Sequence, residues 1–166
     1  MSGIIGQRGA KSGIVGPTAS NTPAFCLSGD SSGDYSLVNT YPYSSANDVD
    51  NIWGVTYNIG DCINTGSGQA IFTPKVAGYY FISWRFYVSN FTDDDEMHFW
   101  LQSNGSSGAK WLGAHNRSSR LFLDITFTDY FSVGNTCYPR AINWAAARGV
   151  ISSGAYYSTF MGHLLS

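Results

Sequence analysis

The sequence predicts an all-β fold, and three observations carry that prediction. The 166 residues include 19 Gly, 11 Tyr, 10 Phe and 5 Trp, and only 12% are charged. Aromatic and β-branched side chains suit a pleated surface, while Gly, Asn, Asp and Ser suit the turns between strands. From residue 24 onward, short apolar runs are broken by turn signals, the pattern of a sandwich or barrel. One run, Tyr79–Val88, carries aromatics on both of its faces. A chain of this length buries about 70% of its unfolded surface, so its core needs no covalent staple.

Residues 1–22 stand apart as a Gly-rich arm. Gly3, Gly6 and Gly9 recur at every third position, and Gly13 and Gly16 resume the spacing after a slip. A collagen triple helix needs an unbroken Gly repeat, because only Gly fits its axis. This run is short, broken once and almost without proline. It reads better as an extended peptide laid against a partner surface. Ile4, Ile5 and Gly6, with Ile14 and Val15, are the expected anchors, held by apolar contact and backbone hydrogen bonds. A free tail is the alternative.

Residues 23–166 form the expected head. Its strands are read as Ala24–Leu27, Tyr35–Tyr41, Asn51–Tyr57, and Gly68–Phe72 leading to the edge or turn marker Pro74. Then come Tyr79–Val88, Met97–Gln102, Lys110–Ala114, Leu121–Phe127, Thr136–Ile142 and Tyr156–Leu165. Along Tyr79–Val88, Tyr80, Ile82, Trp84, Phe86 and Val88 share one face; Tyr79, Phe81, Ser83, Arg85 and Tyr87 share the other. One face is expected to meet the core, and the other a second layer or a neighbouring subunit. The loop Ser103–Gly108 is expected to be a mobile turn.

The charge pattern excludes some functions. A net charge of −2 offers no basic field for nucleic acid or anionic lipid. No apolar run approaches the length of a membrane span. The N-terminus lacks the apolar core of a signal peptide, so synthesis in a host cytoplasm is expected. Cys26, Cys62 and Cys137 are odd in number and widely spaced, which suggests buried free thiols in a reducing compartment. A charged share about half that of an ordinary soluble domain suggests that identical subunits cover one face.

Two segments resemble a known family. The run from Gly68 to Ser83 carries Phe72, Pro74, Gly78 and Tyr80 in order. It is similar to the signature of the complement C-one-q/tumour necrosis factor heads, a Phe, a Pro and a Gly-x-Tyr-x-Phe-Ser strand. The run Ser158–Leu165, with Phe160, Gly162, Leu164 and Leu165, resembles the closing strand of that family. Leu123–Gly134 resembles the strand pair before its Gly-Asp turn. Ile82, Asn135 and His163 depart from the pattern, where Phe, Asp and an aromatic are usual.

The resemblance implies a ten-stranded jelly roll that packs as a homotrimer around an apolar three-fold axis. It points to Tyr80, Ile82, Trp84, Phe86, Phe160, Gly162, His163 and Leu164 as core and trimer-interface residues. The Gly-rich leader also resembles the short glycine-repeat N-termini of marine, cyanophage-type bacteriophage virion proteins.

No catalytic residues are expected. Catalysis needs a nucleophile, a base and an orienting group, and His98, His115 and His163 lie far apart outside any catalytic motif. Asp94, Glu96, Asp124 and Asp129 could in principle pair as in a hydrolase, but their spacing places no two together. No cofactor is expected. Calcium at Asp93, Asp94 and Asp95, helped by Asp48 and Asp50, is the one alternative to a solvated loop. Tyr41, Tyr43, Trp53, Trp111 and Trp144 are read as core, with sugar stacking as the alternative.

The functional expectation is a non-enzymatic virion surface protein, a capsid decoration or tail- or fibre-associated trimer whose arm grips other virion proteins. The alternative is a fibre tip that binds a host receptor or surface glycan.

Overall fold

A computed structural model of the chain describes residues 22–29, 35–36, 47–48, 52–65, 70–89, 96–115, 120–143, 150–151 and 158–165. The anchoring residues Ile4, Ile5, Gly6, Ile14 and Val15 lie outside these, as do Asp93, Asp94 and Asp95.

Every regular element among the described residues is a strand. In chain order these are β1 (Ala24–Gly29), β2 (Tyr35–Ser36), β3 (Asn47–Asp48), β4 (Trp53–Ile59), β5 (Ile63–Asn64), β6 (Ile71–Phe72) and β7 (Gly78–Ser89). They continue as β8 (Glu96–Ser103), β9 (Lys110–His115), β10 (Arg120–Phe131), β11 (Cys137–Asn143), β12 (Val150–Ile151) and β13 (Thr159–Leu164).

The strands form two antiparallel sheets. The first runs β2-β12-β7-β13-β1-β4, with β10 also paired to β7. The second runs β5-β6-β11-β8-β9, with β3 paired to β11. Closing strand β13 lies between β7 and β1, far from both in sequence.

Alternation decides which face is which. On β7, Tyr80, Ile82, Trp84, Phe86 and Val88 are all fully buried. They meet Phe25 and Leu27 of β1, Phe160 of β13, Phe72 of β6, and Phe99 and Leu101 of β8 in a single core. The aromatics interlock by offset and edge contacts: Phe25 on Phe160 at 4.9 Å, Phe72 on Phe131 at 5.3 Å, and Trp84 on Phe86 at 4.0 Å. Each such ring contributes about 1.5–3 kcal/mol by leaving water, with more from ring geometry. Tyr80 keeps its hydroxyl satisfied by donating to the Val76 carbonyl at 2.7 Å. Burial, with the nearby Cys62, pushes that phenol up to about 12.

Gly162 of β13 is hemmed in by its two neighbours in the sheet, β7 and β1. A Cβ there would stand 2.6 Å from Ile82 Cδ1, 2.8 Å from Phe25 Cε1 and 2.9 Å from the Phe81 carbonyl oxygen. A backbone oxygen cannot swing aside as a side-chain end can, so the position requires glycine.

Two sequence expectations change. Leu123–Gly134 resembled a strand pair, but β10 is one continuous strand. Leu123, Ile125, Phe127, Asp129 and Phe131 alternate inward without a break, and β7 supplies a full-length partner from Arg120↔Ser89 to Phe131↔Gly78. The turn comes only afterwards, where Gly134 takes a φ of 87° and Asn135 donates to the Ser132 carbonyl. The Ser103–Gly108 loop is anchored rather than mobile, as described below. The closing strand is β13, and the Gly29 amide donates to the Ser158 carbonyl at its start; Tyr156 and Tyr157, with which the strand was expected to begin, lie outside the described residues.

Candidate self-association face

The predicted interface residues divide between two environments. Tyr80, Ile82, Trp84, Phe86, Phe160 and Gly162 lie in the chain's own core. Leu164 is half-buried, and His163 is exposed on the opposite face of the first sheet.

That outer face is built by the same alternation that fills the core. Where β7 sends its even residues inward, its odd residues point out, and β10 faces them rung for rung. The rungs are Tyr79↔Tyr130, Phe81↔Thr128, Ser83↔Thr126, Arg85↔Asp124 and Tyr87↔Phe122. On the other side of β7, β13 adds His163↔Phe81, Met161↔Ser83 and Thr159↔Arg85. Beyond β1, Tyr57 and Ile59 extend the face along edge strand β4.

The face is aromatic at both ends and polar between. At one end the Tyr79 and Tyr130 rings meet edge to face at 5.4 Å, and Phe81 lies 5.3 Å from the His163 ring. At the other end, Tyr87 and Phe122 lie 4.7 Å apart. Tyr79 is 60% exposed and Phe122 62%, which is unusual for large rings. The middle holds Ser83 and Thr126, whose hydroxyls are 3.1 Å apart, and Arg85, whose Nε lies 3.5 Å from Asp124 Oδ2. Thr126 also donates to the Asp124 carboxylate. Clustered, exposed large rings such as these are the kind of surface that a partner can cover.

The β7 residues expected as core or interface are core, and the other parity of the strand forms the outer face. The alternation was visible, but only the pairing with β10 reveals which parity stays in water. Tyr130 and Phe122 were missed because a lone aromatic on a strand carries no label of face.

A second polar cluster lies inside. Asp129 is only 2% exposed, on the inward parity of β10. Its carboxylate accepts from the Ser106 and Ser107 hydroxyls at 2.6 Å each, from the Ser107 amide at 3.0 Å and from the Tyr130 amide at 2.8 Å. Gly105 packs so close that a Cβ would stand 2.8 Å from Asp129 Oδ2. Burial alone would raise this carboxyl, but these donors together outweigh it and hold it below the ordinary range. Asp129 therefore fastens the loop between β8 and β9 to β10, joining the two sheets. The sequence carried a signal for it: one acid in the inward series Leu123, Ile125, Phe127, Asp129, Phe131.

Two of the candidate carboxylates are kept apart. Asp124 and Asp129 sit on opposite faces of β10, so these two carboxylates cannot act together. All three cysteines are free thiols; Cys62 and Cys137 are buried and Cys26 half-buried. Burial pushes the Cys62 thiol up to about 11 and raises Cys26 and Cys137 as well. Each is therefore a protonated, poor nucleophile at neutral pH. An open cleft of about 450 Å³ borders Cys62, lined by Asp61, Asn64, Thr73 and Lys75. Among the described residues, no three His, Cys, Asp or Glu side chains gather as a metal site. No helix there is long and apolar enough to cross a membrane, which leaves β-barrels unaddressed.

The architecture and this face define a class. Two antiparallel sheets in this order make a jelly roll of the C-one-q/tumour necrosis factor type, and solved structures agree. The globular domain of zebrafish complement 1qA protein superposes with a TM-score of 0.61 at 14% identity, covering 88% of this chain and 98% of that one. Eiger TNF from S. frugiperda gives 0.60 at 14% identity, covering 88% and 94%. The PRD1 vertex protein P5 gives 0.56 at 15% identity, covering 87% and 98%. At such identities the likeness is one of fold. No known family profile matches the chain, and no curated protein sequence matches it.

Proposed function

We propose that this chain is a non-enzymatic, homotrimeric virion surface protein. Its head associates through the outer face of the first sheet, and residues 1–22 anchor it to other virion proteins. It serves as a capsid decoration or as a tail- or fibre-associated protein.

The observation that carries the reading is the exposed aromatic face on a jelly roll of this type. Exposing Tyr79, Phe122 and Tyr130 to water is unfavourable, and covering them with sister copies removes that cost. The same packing would shield the edge strand β4, whose Val55, Tyr57 and Ile59 are all exposed. The resemblance stated at the outset implies a trimer in particular, and three copies are compatible with a face that spans five strands. Support for a virion role is the fold shared with a protein named as a vertex protein, together with the Gly-rich leader. Raised thiols and separated carboxylates support the absence of catalysis.

The test is attachment. Purified full-length chain is mixed with virus particles stripped of it, beside a chain lacking residues 1–20. The full chain is expected to rebind, and the shortened chain is expected to keep its solution mass but stay unbound. Equal binding by both would remove the anchoring role of the arm. A receptor- or glycan-binding tip remains the alternative, and binding of the head alone to a glycan array would favour it.

A further inference from the structure

The outer face is not uniformly apolar, and its polar middle has a definite layout. Arg85 and Asp124 stand opposite each other on β7 and β10, between the Phe81–His163 end and the Tyr87–Phe122 end. Within one chain the pair does little. It rests on a single 3.5 Å contact, with the side chains 63% and 43% exposed, and surface pairs of this kind contribute little to folding. Yet these two opposite charges are held between the two aromatic ends of the face.

We propose that Arg85 and Asp124 determine the register and copy number of the self-association, while the aromatic ends supply its strength. This rests on the self-association reading above. The face carries one positive and one negative group side by side, so it is complementary to another copy of itself. When copies close over it, water leaves both charges. A buried charge is tolerated only with a well-placed opposite partner. Aromatic surfaces alone could slide past one another or add further copies at little cost. A desolvated Arg cannot, because within the chain it meets Asp124 through Nε alone, and its other N–H donors are satisfied only in a register that offers them an acceptor. A single buried polar residue fixes register in coiled coils by the same logic.

Four full-length proteins test this: wild type, Arg85→Asp, Asp124→Arg, and the double exchange. Sedimentation velocity reads association, and thermal melting at low concentration reads the fold of the single chain. Wild type is expected to give one discrete oligomer. Each single variant is expected to weaken association roughly 100-fold or more, since like charges then face one another in a dry interface. The isolated chain should melt only slightly lower in the single variants, because like charges opposite one another on paired strands cost at most about 1 kcal/mol. The double exchange should restore the discrete oligomer. A fifth protein, Arg85→Met with Asp124→Leu, should still associate but spread over several sizes. If wild type forms a discrete oligomer and the single variants match it, the pair has no such role, although the association stands. If wild type is a monomer, both readings fall together.

Discussion

Two residues show how tightly local chemistry constrains this chain. Asp129 is an acid among core aromatics, kept there because hydroxyls and amides satisfy its oxygens. Its folded-state carboxyl lies below its unfolded value of about 3.9. A depressed carboxyl stabilises the fold above the unfolded value and loses that contribution as pH falls through the folded one. Thermal stability is therefore expected to drop on acidification below about pH 4, and Asp129→Asn should flatten that drop. Asp129→Ala should also cost about 2–3 kcal/mol at neutral pH, because it strands the Ser106 and Ser107 donors; denaturant unfolding at pH 7 checks this. A steep acid dependence that survives Asp129→Asn would place the sensitivity elsewhere.

Gly162 is constrained by shape rather than charge. Gly162→Ala must push a methyl group against Ile82, Phe25 and the Phe81 carbonyl. A loss of about 1–3 kcal/mol is expected by chemical denaturation. Wild-type stability in this variant would mean that β13 and β7 have more room than the packing shows.

At the scale of elements, the long strands were legible because their alternation is strong. Tyr79–Val88 and Lys110–Ala114 lie within β7 and β9, and extended pairing adds only a residue or two at their ends. What the sequence could not reveal was pairing. Nothing local in Leu121–Phe127 says that the strand continues through Asp129 to Phe131, because an acid normally ends an apolar run. Nothing local in Tyr79 says that its face lacks a cover. Both depend on β7 and β10 meeting, and these strands lie some 30 residues apart. The SNGSSG loop reads as flexible by composition, yet its serines are the donors that hold Asp129. Composition reports what a segment can do, whereas the partner decides what it does.

The pairing makes a prediction for the aromatic ends. Tyr79→Ser with Phe122→Ser removes two exposed rings and no core contact. The isolated chain should keep its melting temperature within a few degrees, while association in sedimentation velocity weakens strongly. A folded double variant that associates like wild type would show that this face is not the interface.

The whole molecule joins three features: a jelly roll whose core is filled by one parity of its long strands β7 and β10, an outer face filled by the other, and a leader of Gly-spaced apolar pairs. The first is in hand from the packing, and the solved structures share it. The second and third give the molecule its proposed work, since a head that packs with its copies and an arm that grips a particle make a structural subunit. Raised thiols and divided carboxylates fit that division of labour.

The most direct test of the central claim is the absolute mass of the full chain in solution, by light scattering coupled to gel filtration at physiological salt. Covering the Tyr79–Phe122 face with sister copies predicts a single species at three times the 18.0 kDa chain mass. A stable, well-behaved species at 18.0 kDa would contradict it.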